Sequence, residues 1–296
     1  MDYVISTDKL TKIYPSKIAV NEVSIGVSRG DIYGLIGKNG AGKTTLMKML
    51  LGLTLPDKGK INIFGDSSAL DRKRARIGSL IEDPGLYGGA TAEENLKRFS
   101  ILYGADQSKI TELLELVGLG DTGAKKVKAF SLGMKQRLGL AVALLNDPDI
   151  LILDEPMNGL DPAGIKDMRD LFLKLNQRGV TFIISSHILD ELQKVVNVYG
   201  ILNDGKLVEQ ISAKDLEDRC ARHVKISCSD NAAAMAILKE SFPEIACDER
   251  ADGLYLMSGE IDAAKINTIL VKGGVEVSAV VPSTDDFENF FIERLG

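Results

Sequence analysis

The sequence predicts an α/β fold for most of this 296-residue chain. Apolar runs of strand length recur, among them residues 150–153 and 180–184, and stretches with helical spacing of apolar residues lie between them. A glycine-rich loop also stands between one strand and a helix. Because α/β sheets carry their ligand chemistry at the carboxyl ends of the strands, we expect the functional residues to follow the strands.

The first 36 residues predict strands. Alternation of apolar and polar side chains over residues 4–30 indicates a pair of antiparallel strands, and residues 31–36 indicate a short buried strand. Tyr14 stands just before a loop in the first pair. Its ring could stack on an adenine or simply lie on a strand face, and the pattern leaves both interpretations open.

Residues 37–44 match the spacing G-x-x-x-x-G-K-[S/T]. In such a loop, backbone N–H groups point into a concavity that holds phosphates, the lysine reaches their outer oxygens, and the final hydroxyl can bind Mg²⁺. The helix that follows directs its N-terminus at the phosphates. We therefore expect a nucleoside triphosphate site, formed by Gly37, Lys38, Asn39, Gly40, Ala41, Gly42, Lys43 and Thr44.

Beyond this loop, residues 43–53 predict an amphipathic helix, 55–59 a turn and 60–65 another strand. A strand, a helix and a strand in this order suggest a βαβ-like nucleotide-binding core. The next strand, at 77–81, stops at Glu82.

Residues from about 85 to 146 predict an inserted helical lobe. Residues 91–94 have the spacing of a capping box at the start of one helix, and apolar residues over 108–117 indicate another. Ser131 and Gly133 stand at the start of a third helix. By itself, a Ser/Gly pair at a helix N-terminus is more often a simple cap than a functional site.

Two carboxylates, Asp154 and Glu155, emerge at the C-terminal end of the strand at 150–153. They could be an ordinary loop entrance, but buried carboxylates are costly without partners. With a phosphate loop in the same chain, we expect Asp154 to hold Mg²⁺, directly or through water, and Glu155 to activate a water molecule. The strand at 180–187 delivers His187 to the same sheet edge, and we expect this side chain to be functional.

The sequence predicts two domains, residues 1–212 and residues 213–296. After a hairpin at 198–208, the second domain begins with a polar helix, and its order of strand, helix, strand, strand, helix and strand suggests a small α+β, ferredoxin-like module. A final helix is expected over 285–294. The domain carries 9 Lys and Arg against 16 Asp and Glu, a net charge of −7 in a chain of net charge −6. It could be a solvated accessory domain or a regulatory module that restrains activity or recognises a partner.

Composition argues against several classes of protein. The longest apolar runs are far shorter than the roughly 18 residues of a membrane helix. The sequence has no Trp and no basic stripe with interleaved aromatics, so we expect no nucleic-acid partner. The first residues lack the pattern of a secretory signal, and we expect a cytoplasmic protein. Reduced thiols are expected because the cysteines and histidines show no metal-ligand spacing; these are Cys220, Cys228, Cys247, His187 and His223.

Taken together, the motifs resemble, in order and spacing, the ATP-hydrolysing subunit of ATP-binding cassette (ABC) transporters over residues 3–212. The resemblance implies a cassette that belongs to the P-loop NTPases, with an antiparallel β subdomain and an inserted helical lobe. It also implies that two copies dimerise head to tail around two molecules of ATP. By this resemblance Tyr14 is the adenine-stacking aromatic, Gly37 to Thr45 form the Walker A loop, and Asp161 lies in the D-loop.

The same resemblance assigns the other site residues. Asp154 becomes the Walker B aspartate, Glu155 the catalytic glutamate and His187 the switch histidine at the γ-phosphate. Ser131 and Gly133 become part of the signature motif, which serves the nucleotide held by the other subunit.

The chain departs from the family pattern in two places. The usual glutamine after the strand at 77–81 is Glu82, which can still ligate a hard cation such as Mg²⁺ but adds negative charge beside the triphosphate. The signature, usually Leu-Ser-Gly-Gly-Gln, reads Phe-Ser-Leu-Gly-Met, so that Leu132 and Met134 replace a glycine and the glutamine. Both variations resemble the subgroup associated with bacitracin and lantibiotic peptide export or self-immunity.

The resemblance implies a cytoplasmic ATPase that lies on the inner face of the cell membrane through a separate permease. Glu155 is expected to polarise water for attack on the γ-phosphate, while Lys43 and His187 stabilise the developing charge. A second hypothesis is an ATP-gated dimeric regulatory module with little turnover, because Glu82 replaces the usual residue. A soluble ABC protein acting on ribosomes or DNA is disfavoured, since such proteins generally need tandem cassettes or long coiled insertions.

Overall fold

The structure is a computed structural model. It describes residues 3–82, 84–186, 189–219, 222–250, 253–257, 262–284, 290–291 and 294–295. The chain divides into two compact units, Met1–Ala213 and Lys214–Arg294. Within the described ranges, the longest and most apolar helices fall short of what is needed to cross a membrane.

An antiparallel sheet opens the first unit. The long strand β1 (Tyr3–Tyr14) pairs antiparallel with β2 (Lys17–Val23), as the alternation predicts. It also pairs with the short β3 (Gly26–Ser28), which the alternation pattern does not separate from β2.

The helical and parallel part of the first unit carries most of the predicted functional residues, whereas Tyr14 ends β1. A six-stranded sheet has the order β10, β9, β4, β8, β7, β6. In chain order these strands are β4 (Ile32–Ile36), β6 (Ile77–Leu80), β7 (Ile150–Asp154), β8 (Thr181–Ser186), β9 (Val198–Asn203) and β10 (Lys206–Ser212). Only the edge strand β10 runs antiparallel to its neighbour in this sheet. β4 and β8 are buried along their whole length, as is typical of strands covered on both faces.

The prediction of a βαβ-like unit around the phosphate-loop helix is wrong. The strand after that helix, β5 (Lys58–Ile63), pairs antiparallel with β1 and does not join β4. Only Ile61 and Ile63 of β5 are buried. This half-buried alternation suits an antiparallel sheet with one wet face rather than the interior of a parallel sheet.

Helices surround the parallel sheet. In the first unit they are α1 (Lys43–Leu50), α2 (Leu70–Arg74), α3 (Ala92–Tyr103), α4 (Ile110–Leu116), α5 (Leu132–Ala143), α6 (Pro162–Gln177) and α7 (Leu189–Leu192). α1 packs into one apolar core with both sheets, through Leu46, Met47 and Leu50 among others. This core fixes the position of the phosphate-loop helix relative to the sheet.

The helical lobe contains α3, α4 and α5, with 3₁₀ turns between them. The predicted capping box at the start of α3 is confirmed: Glu94 N donates to Thr91 Oγ1 at 3.1 Å, and Thr91 N donates to Glu94 Oε2 at 2.7 Å. The fully buried Asn95 then ties the preceding loop to the helix, because its side chain accepts from Tyr87 N and donates to the carbonyl oxygens of Tyr87 and Thr91. The lobe is therefore joined to a defined entry loop.

The second unit has its own core and sheet. Its elements are α8 (Ala213–Arg219), β11 (Arg222–Cys228), α9 (Asn231–Ser241), β12 (Ala246–Arg250), β13 (Gly253–Met257), α10 (Ala263–Lys272) and β14 (Val277–Thr284). The sheet is antiparallel with the order β12, β13, β11, β14. α9 and α10 contribute Leu238 and Leu270 to an apolar cluster with β11 and β13. His187, Cys220 and most of the expected helix at 285–294 lie outside the described residues.

Candidate functional site

The phosphate loop, residues 37–44, lies between β4 and α1, as its spacing predicts. Gly40 and Gly42 have φ angles of +83° and +105°, which glycine adopts without strain. A Cβ on Gly42 would lie only 2.3 Å from the carbonyl oxygen of Ala19. Position 42 therefore accepts only glycine if the loop is to pass this close to β2.

The turn between β9 and β10 contacts the phosphate loop, a contact that the sequence pattern does not predict. Asp204 and Gly205 both have positive φ, as in the tight turn of a two-residue hairpin. Gly205 N donates to Ala41 O at 3.0 Å, and Asn21 N donates to Gly205 O at 2.7 Å. The predicted hairpin thus links the loop to the antiparallel sheet.

The ammonium group of Lys43 lies under the loop. Its Nζ donates to Gly37 O at 2.7 Å and to Lys38 O at 3.4 Å, and it lies 3.7 Å from Glu155 Oε1. The side chain is only 6% exposed. Because a buried cation is costly without partners, these oxygens hold the charge at the base of the loop.

Thr44 and Asp154 form an oxygen pair where α1 and β7 meet. Thr44 Oγ1 donates to Asp154 Oδ2 at 2.6 Å, and Ser185 Oγ donates to the other carboxylate oxygen, Oδ1. The second bond follows from the sheet, since Asp154 and Ser185 are register partners on β7 and β8.

The donor set fits Mg²⁺. This ion prefers oxygen ligands, keeps several waters, and is usually held by one or two protein groups together with substrate phosphates. The hydroxyl of Thr44 and the carboxylate of Asp154 supply such oxygens side by side. Within the described part of the chain, no cluster of three or more His, Cys, Asp or Glu side chains could hold a metal by itself. A site completed by phosphate oxygens is therefore the arrangement that these residues suit.

Glu155 has an unusual backbone. Its φ is +49°, in the left-handed region that residues other than glycine seldom adopt. Two hydrogen bonds hold this conformation: its N–H donates to Ser185 Oγ at 3.0 Å and to Ser185 O at 3.2 Å. Backbone strain of this kind costs about 1–3 kcal/mol and clusters at functional sites. Here it directs the carboxylate towards Lys43.

A cavity of about 170 Å³ joins the two predicted motifs. Its walls are formed by Lys17, Asn39, Gly40, Ala41, Gly42, Lys43, Thr44, Thr45 and Glu155. Lys17 was not predicted. It begins β2, and its Nζ lies 3.4 Å from Gly40 O. A lysine directly after the Tyr-Pro-Ser turn is the signal that would have pointed to it.

Tyr14 lies next to this lysine. It ends β1, and its Cα is the register partner of that of Lys17 across the two-residue turn. The ring is 37% exposed, with Lys12 Nζ 5.6 Å from its centroid. An exposed ring beside a residue that lines the cavity is compatible with stacking, which stays a prediction.

Glu82 is held by an ion pair. Its Oε1 lies 2.7 Å from Lys48 Nζ, and the glutamate side chain is 66% exposed. Its φ is +59°. Lys48 stands four residues after Thr44, so the two side chains share a face of α1. The metal-binding role expected for Glu82 stays a prediction.

Two further predicted loops end in helix caps. Ser131 caps α5, where its Oγ accepts from Met134 N at 3.3 Å, and Gly133 lies in the first turn. Asp161 caps α6, where its Oδ1 accepts from Gly164 N at 3.0 Å. None of the residues lining the cavity described above comes from these two loops. His187, which was also predicted to belong to the site, lies outside the described residues.

Comparisons with known proteins agree with this arrangement. A family model described as ABC transporter matches residues 20–158. The chain is 42% identical to the bacitracin transport ATP-binding protein BcrA of Bacillus licheniformis, over 301 residues that cover 100% of this chain and 98% of that protein. It is also 42% identical to the lantibiotic transport ATP-binding protein SrtF of Streptococcus pyogenes, over 73% of this chain and 95% of that protein.

A similar solved structure is the dimeric ATP-binding cassette MJ0796, in a post-hydrolysis state with ADP and Pi. Its TM-score is 0.64 at 24% identity, over 71% of this chain and 98% of that chain. At this level of identity the likeness concerns the fold, a cassette of mixed α/β sheets.

Proposed function

Because the chain belongs to the ABC transporters, as one of their ATP-binding ATPase subunits, we propose that it powers a separate membrane permease that exports a peptide antibiotic or a related amphiphile. The observation that carries the ATP-hydrolysing role is the convergence of Lys43 and Glu155 on one cavity, with the Thr44 and Asp154 oxygen pair beside them. A phosphate loop and a positioned carboxylate are the parts that triphosphate hydrolysis requires.

In the proposed mechanism, the triphosphate of ATP lies along residues 37–45, and Lys43 leaves its loop carbonyls for the outer phosphate oxygens. Glu155 accepts a hydrogen bond from the attacking water and orients it towards the γ-phosphate. Lys43 and His187 offset the negative charge that develops on the transferred group. When Mg²⁺ is bound, it neutralises phosphate charge, and Thr44 and Asp154 are the residues that would hold it.

The proposed active form is a dimer. Ser131 is exposed at the N-terminus of α5, where a hydroxyl and helix N–H groups favour an anion, yet its loop does not line the cavity of its own chain. A second copy arranged head to tail would place this group on a neighbouring nucleotide. MJ0796, which shares the fold, is described as dimeric in its post-hydrolysis state, and this supports a dimer.

The export role rests on the relatives. BcrA is named for bacitracin transport and matches this chain over nearly its whole length, and SrtF is named for lantibiotic transport. By this proposal the chain lies at the inner face of the cell membrane, bound to its permease, with the transported compound contacting the permease and not this subunit.

The second unit is proposed to be a ferredoxin-like domain. Its elements follow the order β11, α9, β12, β13, α10, β14, and its sheet order places the first and third strands at the centre. Both features are typical of the split βαβ arrangement. Deleting residues 215–296 and measuring ATPase activity and dimer stability would show whether the domain supports the dimer or regulates turnover.

Glu155→Gln tests the proposed activity. The variant keeps the size of the side chain and one acceptor oxygen but removes the base, so kcat for ATP should fall by about 10²-fold to 10⁴-fold while ATP still binds. Sedimentation in ATP should then show a trapped dimer. Hydrolysis by this variant at the wild-type rate would contradict the role of Glu155. A wild-type rate near zero both with and without the permease would favour the regulatory module instead.

A further inference from the structure

Two leucines and two glycines pack reciprocally between the signature loop, residues 130–134, and the D-loop, residues 157–161. A Cβ on Gly159 would lie 2.7 Å from Leu132 Cδ2, so the leucine of the signature loop rests against this glycine. A Cβ on Gly133 would lie 3.3 Å from Leu160 Cδ2, so the leucine of the D-loop rests against the other glycine. Each loop thus covers the glycine of the other.

We propose that Leu132 and Leu160 are positioning residues that join the two loops into one unit, so that the signature loop and Glu155 move together during ATP hydrolysis. The inference rests on the proposed function, in which Ser131 and Gly133 serve the nucleotide of a second copy while Glu155 serves the chain's own. The pair then connects the two nucleotide sites of the dimer.

Hydrogen bonds link Leu160 to Glu155 over a few residues. Asn158 N donates to Glu155 O at 3.1 Å, and Leu160 N donates to Met157 O at 3.3 Å. The side chain of Met157 is only 1% exposed, which anchors this turn in the core. Leu160 and Glu155 therefore belong to one hydrogen-bonded turn, in which Glu155 has a left-handed φ of +49°.

The side chain of Leu132 also supports a role beyond core packing. It is 49% exposed, so the burial of its apolar surface stabilises the fold only slightly. At the same time Gly159 has a φ of +71° and leaves no room for a Cβ, so that the leucine fits against its backbone. Truncating a half-exposed leucine should cost little stability, which makes the pair accessible to mutation.

The experiment compares four variants of the full-length protein with the wild type: Leu132→Ala, Leu160→Ala, the double variant, and Leu132→Met. Steady-state ATPase gives kcat, and a fluorescent ATP analogue gives nucleotide affinity. The matched control is Leu55→Ala, because Leu55 is 74% exposed and lies outside both loops. Thermal unfolding checks that each variant is folded.

We expect kcat of each alanine variant to fall roughly tenfold, because coupling energies between contacting residues are of this order. The affinity for the ATP analogue should stay unchanged. The double variant should be about as active as the less active single variant, because the two contacts join the same two loops and the loss of either one already uncouples them. Leu132→Met should restore most of the rate, since an unbranched apolar side chain can still reach Gly159.

Three results would overturn the proposal: a kcat of Leu132→Ala equal to that of Leu55→Ala, losses that multiply in the double variant, or a fall in analogue affinity that accounts for the loss of rate. Failure of the proposed function looks different. In that case Glu155→Gln would hydrolyse ATP at the wild-type rate, and the positioning role proposed for the leucines would be refuted together with the role of Glu155.

Discussion

The hydroxyl of Ser185 accepts a hydrogen bond from the backbone N–H of Glu155 at 3.0 Å. The same hydroxyl donates to Asp154 Oδ1, so a single side chain touches both members of the acid pair. Ser185 is fully buried, and the register of β7 and β8 places it directly opposite Asp154. It therefore positions both the oxygen pair proposed to hold Mg²⁺ and the carboxylate proposed to orient water.

Ser185→Ala should lower kcat more than it lowers ATP affinity. Without the hydroxyl, Asp154 Oδ1 and the N–H of Glu155 each lose a partner, and the left-handed backbone of Glu155 is held by the bond to Ser185 O alone. Losing a buried hydrogen-bond partner costs about 1–3 kcal/mol, so urea denaturation should also show reduced stability. We expect a fall in kcat of about tenfold or more.

Ser185→Thr is the control, because it keeps the hydroxyl and should retain most of the rate. If Ser185→Ala and Ser185→Thr gave the same kcat, the hydroxyl would have no positioning role.

Lys48 should matter for ATP binding only while Glu82 is a glutamate. The ammonium lies 2.7 Å from Glu82 Oε1 on the face of α1 that carries Thr44, so it offsets the charge that departs from the family pattern. With Glu82 beside the triphosphate, where the family pattern places this position, Lys48→Ala should leave its carboxylate uncompensated. ATP should then bind roughly threefold to tenfold more weakly, as a charge interaction on the order of 1 kcal/mol gives.

Adding Glu82→Gln to Lys48→Ala should restore the affinity, and isothermal titration with ATP measures both changes. The idea fails if the double variant binds ATP as weakly as Lys48→Ala. Glu82→Gln alone should change the free energy of unfolding by less than about 1 kcal/mol, because exposed ion pairs contribute little stability.

Asp149 should contribute stability that is lost in acid. Arg76, and to a lesser extent Arg29, hold the pKa of this carboxyl below its ordinary value of 3.8. A lowered pKa in the folded state means that the contribution is present above the unfolded pKa and disappears as the pH falls through the folded pKa. Asp149→Asn should thus lower the urea midpoint at neutral pH, with a difference that shrinks below about pH 4.

The same variant also tests whether an ion pair at the far end of β7 affects catalysis. Asp149 lies before the N-terminal end of β7, whereas Asp154 and Glu155 lie at its C-terminal end. Asp149→Asn should therefore leave kcat unchanged, and a pH-independent effect on the midpoint would contradict the ion-pair explanation.

Much of the site follows from local sequence because its parts are short and rigid. The loop at 37–44 needs glycine at defined φ angles, and the acid pair follows directly from a buried strand. Each of these two motifs consists of residues that are adjacent in the sequence. The capping box at residues 91–94 and the turn between β9 and β10 were predictable for the same reason.

The features that were missed depend on pairing between distant strands. β5 reads as a strand in either sheet, and only its antiparallel pairing with β1 decides that no βαβ unit forms. Ser185 becomes important because β8 lies beside β7, and Lys17 because the turn after Tyr14 lies against Gly40. Sequence periodicity predicts which face of a strand is buried, but it does not predict which strand lies next to it.

Lys17 should contribute to ATP affinity through its charge. It lines the phosphate-loop cavity with its Nζ 3.4 Å from Gly40 O, at the edge where a triphosphate would enter. Lys17→Ala should weaken ATP binding by roughly threefold to tenfold, because an exposed charge contributes on the order of 1 kcal/mol to such a site. The loss should shrink at high salt, where exposed charges are screened. Lys17→Arg should retain affinity, and Lys60→Ala, an exposed lysine of β5 outside the cavity, serves as the control. Equal dissociation constants for Lys17→Ala and Lys60→Ala would show that Lys17 shapes the turn after Tyr14 and does not bind the nucleotide.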